Sequence, residues 1–549
     1  MTAAACAVLA LLGFYAGRLA MPLPIFAGDE GAYLIRALYP DWVVTAANPN
    51  VAAVVNGVHL SVIRAVYELG APFIVGDRLV NAAAYLGGLG LLWRAGAKGL
   101  PRGQQATLAL LALGFPYYRF AFSNLAEGLF VGVLALLCLV TGRWYRSRPT
   151  AHALAAGAVA AALVLVKPNG IATVAALGAL AVLDAAAGGG WRRLPLRLAL
   201  FAVSFFAAGN LIQWAAEEPV AHPLAFFVGR FYDAALAAGP RPDALGIASL
   251  ALGSMVSAMA ILAGAPILVG LSDLAARWRS RRGAFAAQGA DLVFLLLLLS
   301  LAATLVMVAI FAVKMAGDPF SRKLLWGRYF EFFAPMIWLA AAPALARPIG
   351  RRMGWACAAL MLAGLAGLLA SFQAGVVLFP WDSSALTAFY HPDPVRAPNG
   401  LGLPYRALAV AATLAAVAAL ALKARAVPVG LALTLALAGL STRLDHVWLG
   451  PVVRLHTALE HDVGAIAARL PPEPADVVLL APDVNDGNLG FLRLHARPRV
   501  LLGPPDLTRP VDLAGAQAVI VSGPDRPPGG RWVRTYRGAA LSLFQPAGR

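Results

Sequence analysis

The sequence predicts a polytopic α-helical membrane protein of about thirteen transmembrane helices with a small C-terminal α/β domain, and three observations lead to this fold class. The 549 residues are 60% hydrophobic and only 13% charged, a balance that water-soluble domains rarely show. Apolar runs of membrane-spanning length recur between residues 3 and 441. After Thr442 the composition shifts to ordinary polarity.

The first apolar run, residues 3 to 20, lacks a basic N-terminal region and a clear small-residue cleavage site. We therefore expect a retained span rather than a cleaved signal peptide. Further spans are predicted near residues 76–93, 106–120, 125–141, 151–166, 171–187, 198–214, 246–271, 291–313, 330–346, 355–372, 407–422 and 427–441.

The basic residues predict the orientation of these spans. Arg and Lys concentrate in every second loop, as in the run of Arg143, Arg146 and Arg148, and the positive-inside rule makes those loops cytoplasmic. The formal charge of +17 then matches anionic headgroups and not nucleic acid. An odd number of spans places the C-terminus outside the cytoplasm. The abundance of Ala, Arg, Gly and Pro is typical of a GC-rich bacterial genome, so we expect the bacterial inner membrane with a periplasmic C-terminus.

Two domains are predicted, residues 1–441 in the membrane and residues 442–549 in the periplasm. The second contains a helical run at 452–470 and strand-like runs at 475–480, 498–503 and 516–521. The first periplasmic loop, about 21–75, is too long for a simple connector. Helical spacing of apolar residues over 29–39 and 57–69 predicts two helices at the membrane interface there.

Asp29 and Glu30 follow the first span directly, and carboxylates beside a membrane-spanning segment indicate a functional site. The alternative is a solvated helix cap, because acidic residues favour helix N-termini. Adjacent residues point in different directions, so the two carboxylates do not form the facing pair of a glycoside hydrolase. One catalytic base with one neighbouring partner fits better, since partial burial raises the basicity of a carboxylate.

Basic residues on the same predicted side have the chemistry of a phosphate site, because Arg provides a bidentate fork and Lys a point charge. The alternative for each is a side chain that extends to the headgroups from the end of a span. Several on one side favour a bound anion with a lipid tail, and these candidates are Lys167, Arg322, Lys323, Arg328 and the adjacent Tyr329.

Other polar residues on that side are candidate substrate contacts, namely Tyr33, Arg119, Glu127 and Glu331. For Tyr33 and Tyr329 the alternative is a structural role, since tyrosines are enriched at membrane interfaces.

Cofactor and metal signals are weak. Cys6, Cys138 and Cys357 lie in apolar runs without a second ligand nearby, and His456 and His461 do not share a helical face. We expect no bound metal and no required cofactor, although the carboxylates leave room for a divalent ion. The Gly188–Gly190 run lacks the Lys and Ser/Thr of a phosphate-binding loop.

The run Gly28-Asp29-Glu30-Gly31-Ala32-Tyr33 after the first span, together with Gly76-Asp77-Arg78-Leu79-Val80-Asn81 at the start of the second, resembles the GT-C membrane glycosyltransferases. The similarity is to the branch that contains protein O-mannosyltransferases and the lipid A aminoarabinose transferase. It covers the whole chain as architecture, whereas the C-terminal domain departs from the versions known in that branch.

This resemblance implies a sugar donor linked to polyprenyl phosphate and an acceptor that is a lipid, a glycan or a protein. It implies that Asp29 is the catalytic carboxylate with Glu30 as its neighbour, and that Lys167 and the Arg328-Tyr329 segment hold the lipid phosphate. Two other functions stay open at this stage. A transporter or flippase of lipid-linked sugars predicts ionisable residues at the midplane of several spans, and a non-catalytic scaffold predicts that Asp29 is freely replaceable.

Overall fold

The structure is a computed structural model that describes residues 57–70, 73–188, 190–216, 243–280, 289–315, 323–391, 402–422, 425–470, 477–480, 499–501, 515–522 and 532–547. It also describes single positions near the N-terminus, including Glu30 and Tyr33, and a few around 222–226 and at 513. Asp29, Arg322 and most of the predicted first span at 3–20 lie outside the described residues.

The described chain is mainly helical. Its α-helices are α1 (Gly57–Glu68), α2 (Phe73–Gly96), α3 (Arg102–Gly114), α4 (Tyr118–Ala121), α5 (Glu127–Trp144), α6 (Pro149–Val166), α7 (Gly170–Gly188), α8 (Leu194–Ala215), α9 (Ala244–Ser280), α10 (Gly289–Lys314), α11 (Phe333–Ala340), α12 (Ala342–Leu345), α13 (Arg351–Gln373), α14 (Gly402–Ala421) and α15 (Ala426–Ala467). Short 3-10 helices occupy Gly190–Arg193, Gly327–Tyr329 and Leu386–Phe389.

Within this part of the chain, nine helices are long and apolar enough to cross a membrane, namely α5 to α10, α13, α14 and the first half of α15. The predicted fold class, a polytopic α-helical membrane protein, is thereby confirmed. The predicted interface helix at 57–69 corresponds to α1, which packs against α6 and α8.

Two predicted spans are not continuous helices. The span expected at 106–120 ends at Gly114, because Phe115 precedes Pro116 and is extended, with a ψ of 125°. The span expected at 330–346 divides into α11 and α12 at Ala341, and Pro343 lies in the first turn of α12, where it has no amide hydrogen to continue the preceding helix.

The helices run back and forth between two ends of the bundle. One end, here called the site end, gathers the first turns of α2 and α5, the segment 115–126, the last turn of α6 and the segments 323–331 and 376–391. The opposite end, called the arginine end, gathers ion pairs such as Arg146 with Asp184 and Arg277 with Asp291. The predicted site residues that the structure describes lie at the site end, and the arginines predicted to face the cytoplasm lie at the arginine end. Which end faces the cytoplasm stays a prediction.

A proline in α9 is compensated by a neighbouring helix. Pro266 lacks an amide hydrogen, so the carbonyl of Leu262 loses its partner four residues later. The indole N–H of Trp338 in α11 donates to that carbonyl over 2.9 Å. Gly430 in α15 admits the same indole, since a Cβ atom there would lie 2.5 Å from the ring.

The C-terminal residues form a five-stranded sheet in the order β2-β1-β3-β5-β4. Its strands are β1 (Val477–Leu480), β2 (Arg499–Leu501), β3 (Ala518–Ser522), β4 (Trp532–Arg537) and β5 (Leu541–Pro546). The first three correspond to the predicted strands, and β4 and β5, which form an antiparallel pair, were not predicted.

The helix α15 joins this sheet to the membrane bundle. It continues without a break from Ala426 to Ala467, so the predicted domain boundary at 442 falls inside it, and the predicted helix at 452–470 is its second half. Asp462 of α15 accepts hydrogen bonds from the amide groups of Ala540 and Leu541 and from the Tyr536 hydroxyl. The division into two domains stays a prediction.

Candidate functional site

The segment 115–126, between α3 and α5, is the centre of the site end. It contacts the first loop through Asn124, and α5 begins directly after it at Glu127. Through Tyr117 and Arg119 it contacts the segments 323–331 and 376–391. The side chains of Tyr117, Arg119 and Asn124 are almost completely buried. The site is therefore built around a short connecting segment that contains only the single-turn helix α4 and that begins where Pro116 follows the end of α3.

Glu30 is fully buried and accepts a hydrogen bond at Oε1 from the amide group of Asn124. A buried carboxylate is costly unless hydrogen bonds compensate for lost water, so this contact ties the first loop to the segment 115–126. Asp29 precedes Glu30 directly, but its own position is not described.

A second group of buried polar residues extends from Asn124 into the first turns of α2. The Asn124 side chain donates to Asp77 Oδ2 over 3.0 Å and accepts from Arg78 Nε over 3.1 Å. Asn81, one turn later, accepts at Oδ1 from the amide group of Leu129 in α5. Asp77, Arg78 and Asn81 belong to the run that carried the family resemblance, and the structure joins this run to the first loop through Asn124.

His59 of α1 completes this group. Its Nδ1 lies 3.9 Å from Asp77 Oδ1, and its ring meets the Tyr33 ring edge-on with the centroids 5.2 Å apart. Tyr33, predicted as a substrate contact, therefore packs against His59, which lies next to the Asp77 carboxylate of α2.

Lys167 lies between a carboxylate and an aromatic ring. Its ammonium group is 2.5 Å from Glu127 Oε1 and 4.5 Å from the centre of the Tyr329 ring. Both members of the ion pair are buried, and no hydrogen-bond donor among the described residues reaches Glu127 Oε2. The structure thus brings together three predicted site residues from three separate stretches of sequence.

Arg328 is a second cation in contact with the Tyr329 ring. Its guanidinium lies 5.2 Å from the centre of the Tyr329 ring and donates to the Tyr329 hydroxyl over 3.3 Å. Its carbonyl accepts a hydrogen bond from the Tyr117 hydroxyl over 2.8 Å, which anchors the backbone of this turn to the segment 115–126.

Trp326 begins the turn that presents Arg328 and Tyr329. Its φ of 60° is left-handed, a conformation that costs about 1 to 3 kcal/mol for a residue other than glycine. The amide groups of Leu325 and Trp326 hydrogen-bond to the Asp382 carboxyl group, and the amide of Arg328 donates to the Asp382 carbonyl over 2.7 Å. The segment 376–391 therefore holds this strained turn in place.

Asp382 lies in a connecting segment outside the membrane-spanning helices. Burial raises the pKa of this carboxyl to about 8, against the opposing effect of the Arg328 guanidinium, and the nearby Glu331 carboxylate raises it further. Its Oδ2 has no hydrogen-bond donor among the described residues. A carboxyl group that binds its proton near neutral pH therefore adjoins the basic part of the site.

Arg119 and Glu331, both predicted substrate contacts, hold the segment 376–391. Arg119 donates to the carbonyl of Pro380 over 2.7 Å and to the Thr387 hydroxyl over 3.2 Å. Glu331 is fully buried and accepts from the Ser383 hydroxyl, from both the amide and the hydroxyl of Ser384, and from the amide of Ala385. These contacts give both residues a supporting role in the described structure.

Lys323 lies at the start of the same segment and is partly buried, and its carbonyl accepts from the amide of Val377 over 2.9 Å. Among the described residues, no group of three or more His, Cys, Asp or Glu side chains is arranged to hold a metal ion.

Several residues of the site were not singled out in the sequence. Asn124, Asp382, Ser383 and Ser384 lie in connecting segments without a recognisable motif, and His59 lies on an ordinary amphipathic helix. The one available signal was polar residues in apolar surroundings, because such residues are buried only when they have partners.

Comparison with known proteins supports the fold. No protein-family profile and no curated protein sequence matches this chain. Two crystal structures of ArnT from Cupriavidus metallidurans are similar to it, one in the apo state and one bound to undecaprenyl phosphate. Their sequence identities are 17% and 18%, with TM-scores of 0.54 and 0.55.

The alignments cover 99% and 98% of this chain and 98% and 97% of the ArnT chains. The chain therefore has the fold of ArnT over essentially its whole length, and the predicted GT-C architecture is confirmed at the level of the fold.

Proposed function

We propose that the chain is an integral-membrane glycosyltransferase that transfers a sugar from a polyprenyl-phosphate donor to a lipid, glycan or protein acceptor. The observation that carries the proposal lies at the site end, where the buried Lys167 and the partly buried Arg328 both contact the Tyr329 ring, close to the segment that binds Glu30. Cations next to a hydroxyl-bearing ring are suited to a phosphate. The fold is that of ArnT, one structure of which is bound to undecaprenyl phosphate.

The chemistry follows from the two halves of the site. Asp29 accepts the proton of the acceptor hydroxyl while the acceptor oxygen forms a bond to the anomeric carbon. The bond between that carbon and the phosphate oxygen breaks, and polyprenyl phosphate leaves with the bonding electrons. Lys167 and Arg328, with Arg322 and Lys323 as further candidates, stabilise its negative charge. Direct displacement inverts the configuration at the anomeric carbon.

Glu30 is assigned to hold the first loop rather than to take the proton. Its carboxylate already accepts from Asn124 and is completely buried. Tyr33 and Glu127 are the candidate substrate contacts, and Arg119 and Glu331 hold the segment 376–391 beside them. The charged groups of the site make a metal unnecessary for the reaction, although a divalent ion is compatible with the carboxylates.

The cellular placement is part of the proposal. The many arginines at the arginine end favour a cytoplasmic location for that end. The site end and the C-terminal sheet then face the periplasm, on the outer side of a bacterial inner membrane. The buried charges of the described bundle lie near helix ends or in connecting segments, an arrangement that favours the enzyme over a transporter or flippase.

The test is transfer of labelled sugar from polyprenyl-phosphate donors in membranes that contain equal amounts of each variant. Asp29→Asn is expected to lower the transfer rate at least about a hundredfold, the scale of a lost general base, with the thermal unfolding midpoint unchanged. Asp273→Asn, at the arginine end, is the matched control and keeps the wild-type rate.

Lys167→Gln and Arg328→Gln are expected to lower kcat as well as raise the KM for the donor, because these cations bind the phosphate and stabilise the charge that develops on it as it leaves. Unchanged transfer by Asp29→Asn would remove this carboxylate from the mechanism. Movement of the lipid-linked sugar across vesicles without any transfer would favour the flippase.

A further inference from the structure

A cavity at the arginine end, far along the bundle from the site, has no place in the proposed reaction. It has a volume of about 220 Å³ and lies between the last turns of α2 and α5 and the first turn of α10. Its walls include Leu92, Ala95, Leu139, Ala290 and Val293, and Arg143 lies at its edge. Ala95, Ala290 and Arg143 are exposed, so the cavity opens at the outer surface of the bundle.

Glycine contacts form the floor of this cavity. A Cβ atom on Gly142 would lie 2.8 Å from a methyl group of Val293, and one on Gly289 would collide with the carbonyl of Gly142. The backbones of α5 and α10 therefore touch at this point, and the small side chains around the contact leave the space unfilled. The volume is several times the ~30 Å³ that one water occupies in the liquid, and the walls are largely apolar.

The charges at the rim identify the kind of ligand. Several arginines at this end form ion pairs. Arg146 and Arg197 pair with Asp184, and Arg277 pairs with Asp291. Asp291 and Asp273 share Arg277, and Arg347 also contacts Asp273, so these two carboxylates are matched by two arginines. Arg143, at the edge of the cavity, forms no ion pair with a carboxylate of the described part of the chain. Arg94, one residue before the lining Ala95, adds another exposed positive charge.

We propose that this cavity binds an anionic phospholipid, with part of an acyl chain in the apolar space and the headgroup phosphate on Arg143. The position fits such a ligand because the ends of membrane-spanning helices lie at headgroup level. Basic pockets between such helices recognise acidic headgroups through charge, and an apolar wall replaces the lipid environment of the chain. The site is separate from the donor site and does not depend on the proposed transfer reaction.

The experiment uses the full-length protein purified in detergent. It is offered phosphatidylglycerol or phosphatidylcholine with identical acyl chains, and the lipids that remain bound are counted by native mass spectrometry. The wild-type chain is expected to retain phosphatidylglycerol in preference. Arg143→Gln is expected to lower that preference about fivefold, the effect of one basic residue at an anionic membrane surface.

Two further variants fill the cavity without changing charge. Ala290→Leu and Ala95→Leu approach it from α10 and α2, and each is expected to reduce retention of phosphatidylglycerol. Using both keeps the test decisive if one variant fails to fold, which the thermal unfolding midpoint reports. The matched control is Arg351→Gln, an exposed arginine of α13 at the same end, which is expected to retain lipid like the wild type.

The proposal is overturned if wild-type protein shows no preference for the anionic lipid, or if the filling variants and Arg143→Gln retain as much of it as the wild type. It is also overturned if the retained molecule that the leucine variants displace is polyprenyl phosphate, because the cavity would then hold the donor's tail.

Discussion

The two ends of the bundle use charged residues in different ways. At the site end the ion pair of Lys167 and Glu127 leaves only 9% and 3% of its side chains exposed, whereas at the arginine end Arg347 and Asp273 are 78% and 19% exposed. Exposed pairs contribute little to stability because water competes for both partners. Buried ones require complete hydrogen bonding, and a missing partner is costly. The buried pair at the site end therefore depends on each polar contact, while the exposed pair of Arg347 and Asp273 tolerates change.

The largest expected effect on stability is at Glu331. Glu331→Ala removes the acceptor of four hydrogen bonds, two of them from backbone amide groups of the segment 376–391. We expect the free energy of unfolding to fall by about 3 kcal/mol or more, since hydrogen bonds to a charged group contribute about 1.5 to 3 kcal/mol each. Titration of the purified protein with SDS measures it. A loss as small as that of Asp273→Ala would contradict the contrast between the ends.

The next effect is expected at Asn124, whose side chain can be removed while its amide contact to Glu30 remains. Asn124→Ala removes the hydrogen bond that Arg78 donates to Asn124 and the one that Asp77 accepts from it, and we expect a loss of about 2 to 3 kcal/mol in the free energy of unfolding. Asn210→Ala is the matched control, because the Asn210 amide bonds the Phe206 and Pro223 carbonyls near the surface. Equal losses in the two variants would show that burial at the site end is unimportant.

The stability should also depend on pH through Asp382. Its folded pKa of about 8 lies above the ordinary value of 3.8, so the folded protein binds a proton that the unfolded chain has lost. Stability is therefore expected to fall as the pH rises from about 4 to about 8, by no more than about 1.4 kcal/mol per pH unit. SDS titrations between pH 5 and pH 8 measure this slope. Asp382→Asn is expected to flatten it, and an unchanged slope would assign it to another group.

The smallest effect is expected at the arginine end. Arg347→Gln breaks the 3.4 Å contact with Asp273, yet Asp273 keeps its second partner Arg277 at 2.7 Å. We expect less than about 1 kcal/mol of change in the free energy of unfolding, decreasing further in high salt. The same titration at two salt concentrations checks it. A loss as large as that of Glu331→Ala would show that the two ends do not differ.

Local sequence was sufficient wherever one segment carried the signal. The apolar runs predicted most spanning helices, and alternating basic loops separated the residues of the two ends. It failed where prolines interrupted an apolar run, as at Pro116 and Pro343, since hydropathy alone does not register a missing amide hydrogen. The hairpin of β4 and β5 was missed because β4 is largely exposed and lacks an apolar run.

The candidate site likewise contains residues that the sequence predicted and residues that only the structure identified. Lys167, Arg328, Tyr329 and Glu127 were singled out as charged or aromatic residues near span ends. Three-dimensional packing placed Lys167 and Arg328 against the Tyr329 ring and paired Glu127 with Lys167. Nothing local distinguished Arg119 and Glu331, which hold the segment 376–391, from residues that contact a substrate. Asn124 and Asp382 belong to no recognisable motif, so only their burial and their hydrogen-bond partners identify them as residues of the site.

By itself the sequence determined that the chain is a multi-helix membrane protein with ordinary polarity after residue 442, because hydrophobic length and charge are properties of single segments. Only the tertiary structure decided which charged groups meet. Glu30 and Asn124 are 94 residues apart, and Glu331 and Ser384 are separated by 53. Such contacts form because buried polar groups must find partners wherever the packing of apolar helices brings them, and that packing depends on the whole chain at once.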